Sequence, residues 1–170
     1  MGELPKEIPV LSDLTFEVNN TVFQIDSLLI LQNLVFPIEV KNYQGDYYID
    51  GELWRGIHGN EIKNPILQMN RSASLLRQLF HRNGLNFSIK PYLAFVNPEF
   101  TLYQAPRTND IIFPTQLNRF ISTLKTEPSR QGQRHDKLVK QLLSMQVKPK
   151  RKEYEYDFSE LRKGVTSPTC

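Results

Sequence analysis

Acidic and basic side chains on two neighbouring β-strand patterns are the residues of this sequence best suited to chemistry. Two runs rich in β-branched and aromatic residues carry them: residues 21–31 (TVFQIDSLLIL) and residues 34–41 (LVFPIEVK). A hairpin centred on the polar pair Gln32-Asn33 places Asp26 opposite Glu39 and Gln24 opposite Lys41. Because opposed residues share a face of a sheet, as do residues two apart on one strand, we expect these four side chains to converge.

Two opposed carboxylates in apolar surroundings need compensation. Their Cβ atoms would be roughly 5 Å apart, and strands that are apolar on both faces are typically buried. Buried carboxylates need either a counter-charge or a proton. Lys41 supplies one counter-charge, and Mg²⁺ would supply another because hard cations prefer carboxylate oxygens. Two interpretations stay open at this point: a metal site, or a buried Lys41–Glu39 pair with Asp26 facing solvent.

The hairpin register decides whether the acids meet. A loop of two or four residues keeps Asp26 opposite Glu39, whereas a loop of three residues shifts one strand and separates them. Pro37 has no backbone N–H to donate to a ladder. We therefore expect the second strand to lie at an edge of the sheet or to carry a bulge at that residue.

These segments resemble the nuclease-related domain (NERD) family, which is similar to the PD-(D/E)XK nuclease superfamily. The resemblance covers about residues 10–100 and rests on motifs in the family order: Gln24-Ile25-Asp26, Ile38-Glu39-Val40-Lys41-Asn42 with Gly45, and Asn64-Pro65 with Gln68. It implies an α/β (α+β) fold of the restriction-endonuclease type. Such a fold has a mostly antiparallel central sheet flanked by helices.

The resemblance also implies a role for each site residue. Asp26 and Glu39 would bind Mg²⁺ or Mn²⁺, the backbone carbonyl of Val40 would be a further ligand, and Lys41 would be the catalytic lysine. Gln68 falls on the inward face of a predicted helix near its start, and the resemblance gives it a role in orienting water or Lys41. The alternative is a first-turn glutamine bonded to backbone. The implied activity is hydrolysis of DNA, with RNA as the second choice of substrate.

One departure from that superfamily concerns the acid that it usually places on a helix before the first strand. Here Pro5 and Pro9 interrupt a very short lead-in, so we expect either a truncated chain or no such helix, and weaker metal binding. If Asn19-Asn20 turns an earlier hairpin, Asp13 faces Asp26 as a substitute; otherwise Asp13 is an ordinary acid at a loop end. This departure favours a second hypothesis, a catalytically inactive module that binds nucleic acid or protein.

Composition and charge set broader bounds. The 170 residues suffice for one domain with a real core, and 39% hydrophobic and 23% charged residues are ordinary values. No apolar run is long enough for a membrane span, and the first residues lack the apolar core of a signal peptide. The single cysteine excludes an intramolecular disulfide framework. We expect a cytoplasmic protein without a membrane partner and leave its oligomeric state open.

A net charge of +3 does not by itself indicate nucleic-acid binding. Basic residues concentrate in two places, on a predicted helix (Arg71, Arg77, His81, Arg82) and in a run near the end (Lys148, Lys150, Arg151, Lys152). Either group would serve as a set of phosphate contacts with salt-sensitive affinity. The alternatives are a solvated helix face and a basic linker.

The remaining pattern predicts an alternation of strands and helices. We expect strands at residues 10–18, 21–31, 34–41, 46–54 (paired around Asp50-Gly51), 89–96 and 111–113, and helices at residues 65–82, 115–125 and 134–147. The last helix carries Leu138, Leu142, Leu143 and Met145. We assign residues 1–147 to the NERD-like domain and residues 148–170 to a charged extension. The histidines, His58, His81 and His135, lack the spacing of metal ligands and are expected at the surface.

Overall fold

Two β-sheets and three α-helices make up the part of the chain that this computed structural model describes, residues 8–126 and 132–148. The first sheet contains β1 (Val10–Val18), β2 (Thr21–Leu31), β3 (Leu34–Lys41), β7 (Ser88–Ile89), β8 (Tyr92–Phe95) and β10 (Ile111–Ile112). The second contains β4 (Gly45–Asp50), β5 (Leu53–Gly56), β6 (Glu61–Ile62) and β9 (Phe100–Tyr103). The helices are α1 (Pro65–Arg82), α2 (Leu117–Thr126) and α3 (Gln133–Met145), and a 3₁₀ turn at Pro114–Gln116 leads into α2. The predicted mixed α/β class is confirmed.

The first sheet has an antiparallel half and a parallel half. Its strand order is β1-β2-β3-β8-β10, and the short β7 pairs with the first residues of β3. β1, β2 and β3 form an antiparallel meander, whereas β8 runs parallel to both β3 and β10. The parallel pairing of β3 with β8 requires a crossover, and α1 lies in that crossover. The strand order in the second sheet is β6-β5-β4-β9.

Both predicted hairpin registers are confirmed next to their turns. The β2–β3 ladder runs from Leu31 opposite Leu34 to Ser27 opposite Ile38, around the two-residue turn Gln32-Asn33. In the β1–β2 ladder, Val18 lies opposite Thr21 across Asn19-Asn20. Both asparagines have positive φ, 51° and 60°, a backbone region that asparagine enters more readily than most residues.

Pro37 lies inside a central strand, and the expected edge is found only locally, on one side of that residue. The residue pairs with Leu28 of β2, and β3 has neighbours on both sides. On the other side, however, the pairing with β7 ends at Val35 and the pairing with β8 begins at Ile38. Pro37 therefore falls at a gap between two ladder partners, where a missing N–H costs the sheet no hydrogen bond.

Helix α1 begins and ends where the sequence predicts. The Oδ1 atom of Asn64 accepts hydrogen bonds from the backbone N–H groups of Ile66 (2.9 Å) and Leu67 (3.4 Å), and Pro65 takes the first helical position. The chain leaves the helix through Gly84, which has φ +63°. Its buried residues are Pro65, Met69, Ala73, Leu76, Leu79 and Phe80.

The two faces of the first sheet are covered by different helices. α1 and α3 pack on one face, where their buried residues join Leu14, Phe16, Phe23, Leu28 and Val35. α2 and Ile8 pack on the other face, against Leu29, Leu31, Phe36, Tyr92 and Ile112. A third cluster, rich in aromatic residues, joins the second sheet to β8 through Trp54, Phe95 and Phe100.

Several local predictions need correction. The predicted strand at residues 89–96 is divided into β7 and β8 at Lys90-Pro91, because proline cannot continue the ladder. β6 and β9 were not predicted. His135, expected at the surface, is 5% exposed.

Some predictions fall on residues outside the described part of the chain. Residues 127–131, which lie between the second and third predicted helices, and residues 149–170 of the charged extension are among them. Within the described residues, no helix is both long and apolar enough to cross a membrane.

Candidate active site

The candidate site lies where β2 and β3 separate. Their ladder ends at the pair Ser27–Ile38. Beyond that pair, β3 continues beside β8, with Glu39 opposite Leu93 and Lys41 opposite Phe95, while β2 continues beside β1. Asp26 and Glu39 are therefore the first residues after the point of separation. The predicted pairing of Gln24 with Lys41 is not part of the ladder, because the strands have parted there.

The side chain of Asp26 bridges the gap between the separating strands. Its Oδ2 atom accepts a hydrogen bond from the backbone N–H of Val40 at 2.9 Å, which replaces a backbone ladder bond. The carbonyl of Lys41 accepts from the N–H of Val96 and so faces β8. Because successive residues of a strand direct their backbone groups to opposite sides, the carbonyl of Val40 faces the Asp26 side.

Glu39 and Lys41 form a close ion pair beside Asp26. The Lys41 Nζ atom lies 3.3 Å from Glu39 Oε1, and the two side chains are only 19% and 17% exposed, respectively. Burial raises the pKa of Glu39 above its ordinary value, the neighbouring Asp26 carboxylate raises it further, and Lys41 acts in the opposite direction. The two carboxylates are thus near enough to repel each other, and a single ammonium group only partly offsets that repulsion.

The side chains of β2 stop alternating between the two faces of the sheet near Asp26, and this irregularity accounts for the position of Asp26. Phe23 and Ile25 join the core under α1 and α3, and so do Leu28 and Ile30, although strict alternation would put the second pair on the opposite face. The sheet face therefore switches across Asp26-Ser27. Such a local irregularity re-aims side chains, as bulges next to active sites commonly do.

Asp13 does not complete the site in the way the sequence suggested. It stands at the β1 position opposite Asp26 by residue number, but its φ is +53° and the ladder skips it. Its side chain is exposed. Within residues 8–126 and 132–148, no group of three or more His, Cys, Asp and Glu side chains is arranged to hold a metal ion.

Helix α1 brings polar side chains to the same place. Met69 and Ser72 line a small cavity together with Gln24 and Glu39, and Gln68 lies on the same turn of the helix. The Oε1 atom of Gln68 is buried, and it has no hydrogen-bond partner among the described residues. The alternative role of Gln68, a bond to backbone through that oxygen, is therefore not formed. Ser72 was missed in the sequence, although its position four residues after Gln68 puts both on one helix face.

Tyr43 is a second residue that the sequence did not single out. The Nζ atom of Lys41 lies 5.9 Å from the centre of its ring, within the range of a cation–π contact. The ring also packs against Tyr47, Phe95 and Phe100, with centroid distances of 5.4, 6.1 and 6.3 Å. Tyr43 thus connects Lys41 to the aromatic cluster of the second sheet.

The residues at this position fit a hard divalent cation. Carboxylate, amide and carbonyl oxygens are the donors that such cations prefer. A bound cation would relieve the repulsion between the Asp26 and Glu39 carboxylates, and the buried Gln68 Oε1 atom has no hydrogen-bond partner among the described residues. Two carboxylates supply fewer ligands than a closed site needs, but Mg²⁺ normally retains several waters.

The basic residues of α1 do not form one continuous surface. Arg71, Arg77, His81 and Arg82 are all exposed, and Arg77 also donates a hydrogen bond to the carbonyl of Ile89 at 3.1 Å. One helical turn contains 3.6 residues, so Arg71 and Arg82, eleven residues apart, lie near one side of α1. Arg77 lies well away from that side. Of the other histidines, His58 is exposed as expected.

His135 is buried because it belongs to the packed stripe of α3. Its Nε2 atom lies 2.8 Å from the carbonyl oxygen of Gln32, and the helix buries Leu138 and Leu142 on the same side. The spacing of three and seven residues from His135 is the helical period of that stripe. This spacing was the signal that could have identified the histidine as a structural residue.

Comparison with protein families identifies a family for this chain. The family model described as "Nuclease-related domain" (NERD) matches residues 3–96, more than half of the chain. No curated protein and no solved structure matches the chain. The matched segment includes Asp26, Glu39, Lys41 and Gln68.

Proposed function

Because the chain belongs to the nuclease-related domain family, we propose that it is a metal-dependent nuclease that hydrolyses phosphodiester bonds in DNA. One observation supports this proposal most directly. Asp26, Glu39 and Lys41 meet where β2 and β3 separate, with Asp26 bonded to Val40 N–H and Glu39 paired with Lys41. A carboxylate pair beside an ammonium group suits a phosphodiester, which needs charge stabilisation at its oxygens.

In this proposal, each side chain has a distinct task. Asp26, Glu39 and the Val40 carbonyl would hold Mg²⁺ or Mn²⁺, which when bound polarises a phosphoryl oxygen and lowers the pKa of water. The ammonium group of Lys41 stabilises negative charge that develops on the phosphate. The Glu39 carboxylate and the Tyr43 ring hold the ammonium group of Lys41 beside the acids. Gln68 orients the attacking water or Lys41 through its amide.

Cleavage of supercoiled plasmid DNA in the presence of Mg²⁺ or Mn²⁺ tests this proposal. We expect Glu39→Ala and Lys41→Ala each to reduce the rate by roughly a hundredfold or more, as expected for loss of charge stabilisation. Exposed residues away from the site provide matched controls, Glu61→Gln for the acid and Lys125→Ala for the lysine. Both controls should cleave like the wild type. Cleavage that persists unchanged in Glu39→Ala and Lys41→Ala would refute this mechanism.

A second candidate function is a nucleic-acid-binding module without catalysis. A specific observation favours it: both acids already have partners, Val40 N–H for Asp26 and Lys41 for Glu39. In addition, the described residues place no third acid beside them. DNA would then be bound through exposed basic residues such as Arg71 and Arg82, with an affinity that falls as salt rises.

Calorimetric titration with Mn²⁺ separates the two candidates. The nuclease should bind Mn²⁺ with micromolar affinity, and Asp26→Asn should abolish that binding because the acid supplies a ligand oxygen. A protein that binds no Mn²⁺ yet retards DNA on a gel in the presence of chelator would support the binding module. RNA in place of DNA in both assays determines which nucleic acid is the substrate.

A further inference from the structure

A groove of about 700 Å³ opens on the face of the first sheet opposite α1. It lies between the start of β3, β8, β10 and α2, and its apolar lining includes Leu31, Phe36, Tyr92, Ile112, Phe120 and Leu124. The rings of Tyr92 and Phe120 lie 4.9 Å apart, and those of Phe36 and Tyr92 lie 5.6 Å apart. No residue of the candidate active site lines this groove. Its volume and apolar lining are typical of small-molecule sites.

The rim of the groove is rich in positive charge and hydrogen-bond donors. Among the described residues that line it, only Lys90 and Arg119 are charged, and both are exposed. The Nζ atom of Lys90 lies 5.4 Å from the centre of the Tyr92 ring, which holds the ammonium group over the aromatic wall. Asp110 is next to two lining residues in sequence but does not line the groove.

Two amide side chains on the rim have their oxygens already engaged. Asn33 Oδ1 accepts a hydrogen bond from Arg134 at 2.6 Å, and Gln116 Oε1 accepts one from the N–H of Phe113 at 3.0 Å. Each amide is thereby held with its NH₂ group as the end that remains to donate. The oxygen of Thr108 likewise accepts from the N–H of Asp110 at 3.2 Å.

We infer that this groove binds a nucleoside phosphate. A ligand with a planar ring would pack against this aromatic lining, in which Phe36 and Tyr92 are buried edge-on to each other and Phe120 is partly exposed. A phosphate group at the rim would match the charge of Lys90 and Arg119, and guanidinium and ammonium groups are the usual partners of phosphate. The amide donors would hold the sugar or the base. The site is independent of the proposed cleavage of DNA.

Calorimetry at low ionic strength with adenosine 5′-monophosphate as the probe tests the inference. We expect saturable binding of this nucleotide, with adenosine and inorganic phosphate each at least about tenfold weaker, because each lacks one of the two recognised parts. Arg119→Gln and Lys90→Gln should each weaken the nucleotide at least about tenfold. Lys125→Gln, on the same helix as Arg119 but outside the groove, should leave binding unchanged. Thermal unfolding of each variant verifies that it is folded.

Three outcomes would overturn the inference. The first is no saturable binding of the nucleotide to the wild type. The second is equal binding by Arg119→Gln and Lys125→Gln. The third is loss of binding in Lys41→Ala, which would place the nucleotide at the candidate active site. A short single-stranded oligonucleotide without terminal phosphate distinguishes the source of the ligand. If it binds in an Arg119-dependent manner while the free nucleotide does not, the groove binds a strand and the inference of a free nucleotide fails.

Discussion

Opposing interactions act on the pKa of the Glu39 carboxyl group. Burial and the Asp26 carboxylate favour its protonated form, while Lys41 at 3.3 Å favours its ionised form. The protonated state is disfavoured as a metal ligand, because a carboxylate must be deprotonated to bind. The carboxyl group of Glu39 therefore takes up a proton at a higher pH than an ordinary glutamate does.

The raised pKa of Glu39 predicts the pH dependence of metal binding. As pH falls through that pKa, Glu39 takes up a proton, and we expect the affinity for Mn²⁺ to fall by up to about tenfold per pH unit. Calorimetric titrations between about pH 5 and pH 8 measure this dependence, with Glu61→Gln as the control that should follow the wild type. An affinity that is constant over this range would contradict the assignment of Glu39 as a ligand.

Substitution of Gln68 should affect the free energy of unfolding and DNA cleavage differently. Its buried Oε1 atom has no partner among the described residues, and a buried unpaired acceptor destabilises a fold. We expect Gln68→Met to leave the free energy of unfolding unchanged or to raise it by up to about 1 kcal/mol, while DNA cleavage falls at least roughly tenfold. Urea denaturation and the plasmid assay measure the two effects.

The control for Gln68 is Gln78→Met, since the Gln78 side chain is exposed and bonded to Asn19. It should change neither quantity appreciably. A Gln68→Met protein that is clearly destabilised, with cleavage reduced only in proportion to its folded fraction, would show that Gln68 is a structural residue.

At this scale, the sequence predicted that Asp26, Glu39 and Lys41 lie near one another, but not how they are brought together. The register that places Asp26 near Glu39 follows from a two-residue turn and is confirmed up to Ser27. The separation of the strands beyond it could not be derived, because it depends on β8, whose approach to β3 is a contact between distant parts of the chain. The point where the side chains of β2 change faces, after Ile25, is marked in the sequence by two adjacent polar residues, Asp26-Ser27.

Helix α1 carries Ser72, which lines a small cavity with Glu39, and Gln68 one turn earlier, so its first turn matters for the candidate site. Asn64 fixes that turn through its two side-chain hydrogen bonds. We expect Asn64→Ala to lower the free energy of unfolding by about 1 kcal/mol, and Asn64→Asp to restore most of it, as is typical of N-cap residues. Urea denaturation measures both changes.

The matched control is Asn70→Ala, an exposed position in the interior of the same helix. There alanine is the better helix former, so stability should stay the same or rise by a few tenths of a kcal/mol. Equal losses in Asn64→Ala and Asn70→Ala would mean that the cap does not determine the stability of α1.

Elements with strong local signals were predictable, and elements defined by distant partners were not. The hairpins and α1 have turn and cap residues that act within a few positions. β9 is only four residues long, and its partner, β4, lies far earlier in the chain. Its pairing depends on the aromatic cluster around Phe95 and Phe100, whose rings stack at 4.1 Å. The spacing of apolar residues along the sequence does not indicate such a contact between distant segments.

The candidate active site and the groove lie on opposite faces of the first sheet. The face under α1 and α3 supplies the main core and supports the candidate active site, while the face under α2 contains the nucleotide groove. α3 is locked to the β2–β3 turn through Arg134, bonded to Asn33, and His135, bonded to Gln32. The turn that sets the register of Asp26 and Glu39 is thus held by the last described helix.

Two adjacent leucines of α3 test whether that helix is part of the folded unit. Leu142 is 0% exposed and belongs to the main core, whereas Leu143 is 48% exposed. We expect Leu142→Ala to lower the free energy of unfolding by about 2–5 kcal/mol, since it removes a fully buried side chain. Leu143→Ala should cost at most about 0.5 kcal/mol. Urea denaturation followed by circular dichroism gives both values in a single set of measurements.

Loss of α3 packing should also weaken Mn²⁺ binding at the candidate active site. Because Arg134 and His135 hold the β2–β3 turn, a Leu142→Ala protein that remains folded should bind Mn²⁺ more weakly than Leu143→Ala, measured by calorimetry well below the unfolding temperature. Similar and small effects of the two substitutions on stability would mean that α3 does not pack on this sheet in solution. Unchanged Mn²⁺ binding in a destabilised Leu142→Ala protein would instead mean that the register of β2 and β3 is secured by their ladder alone.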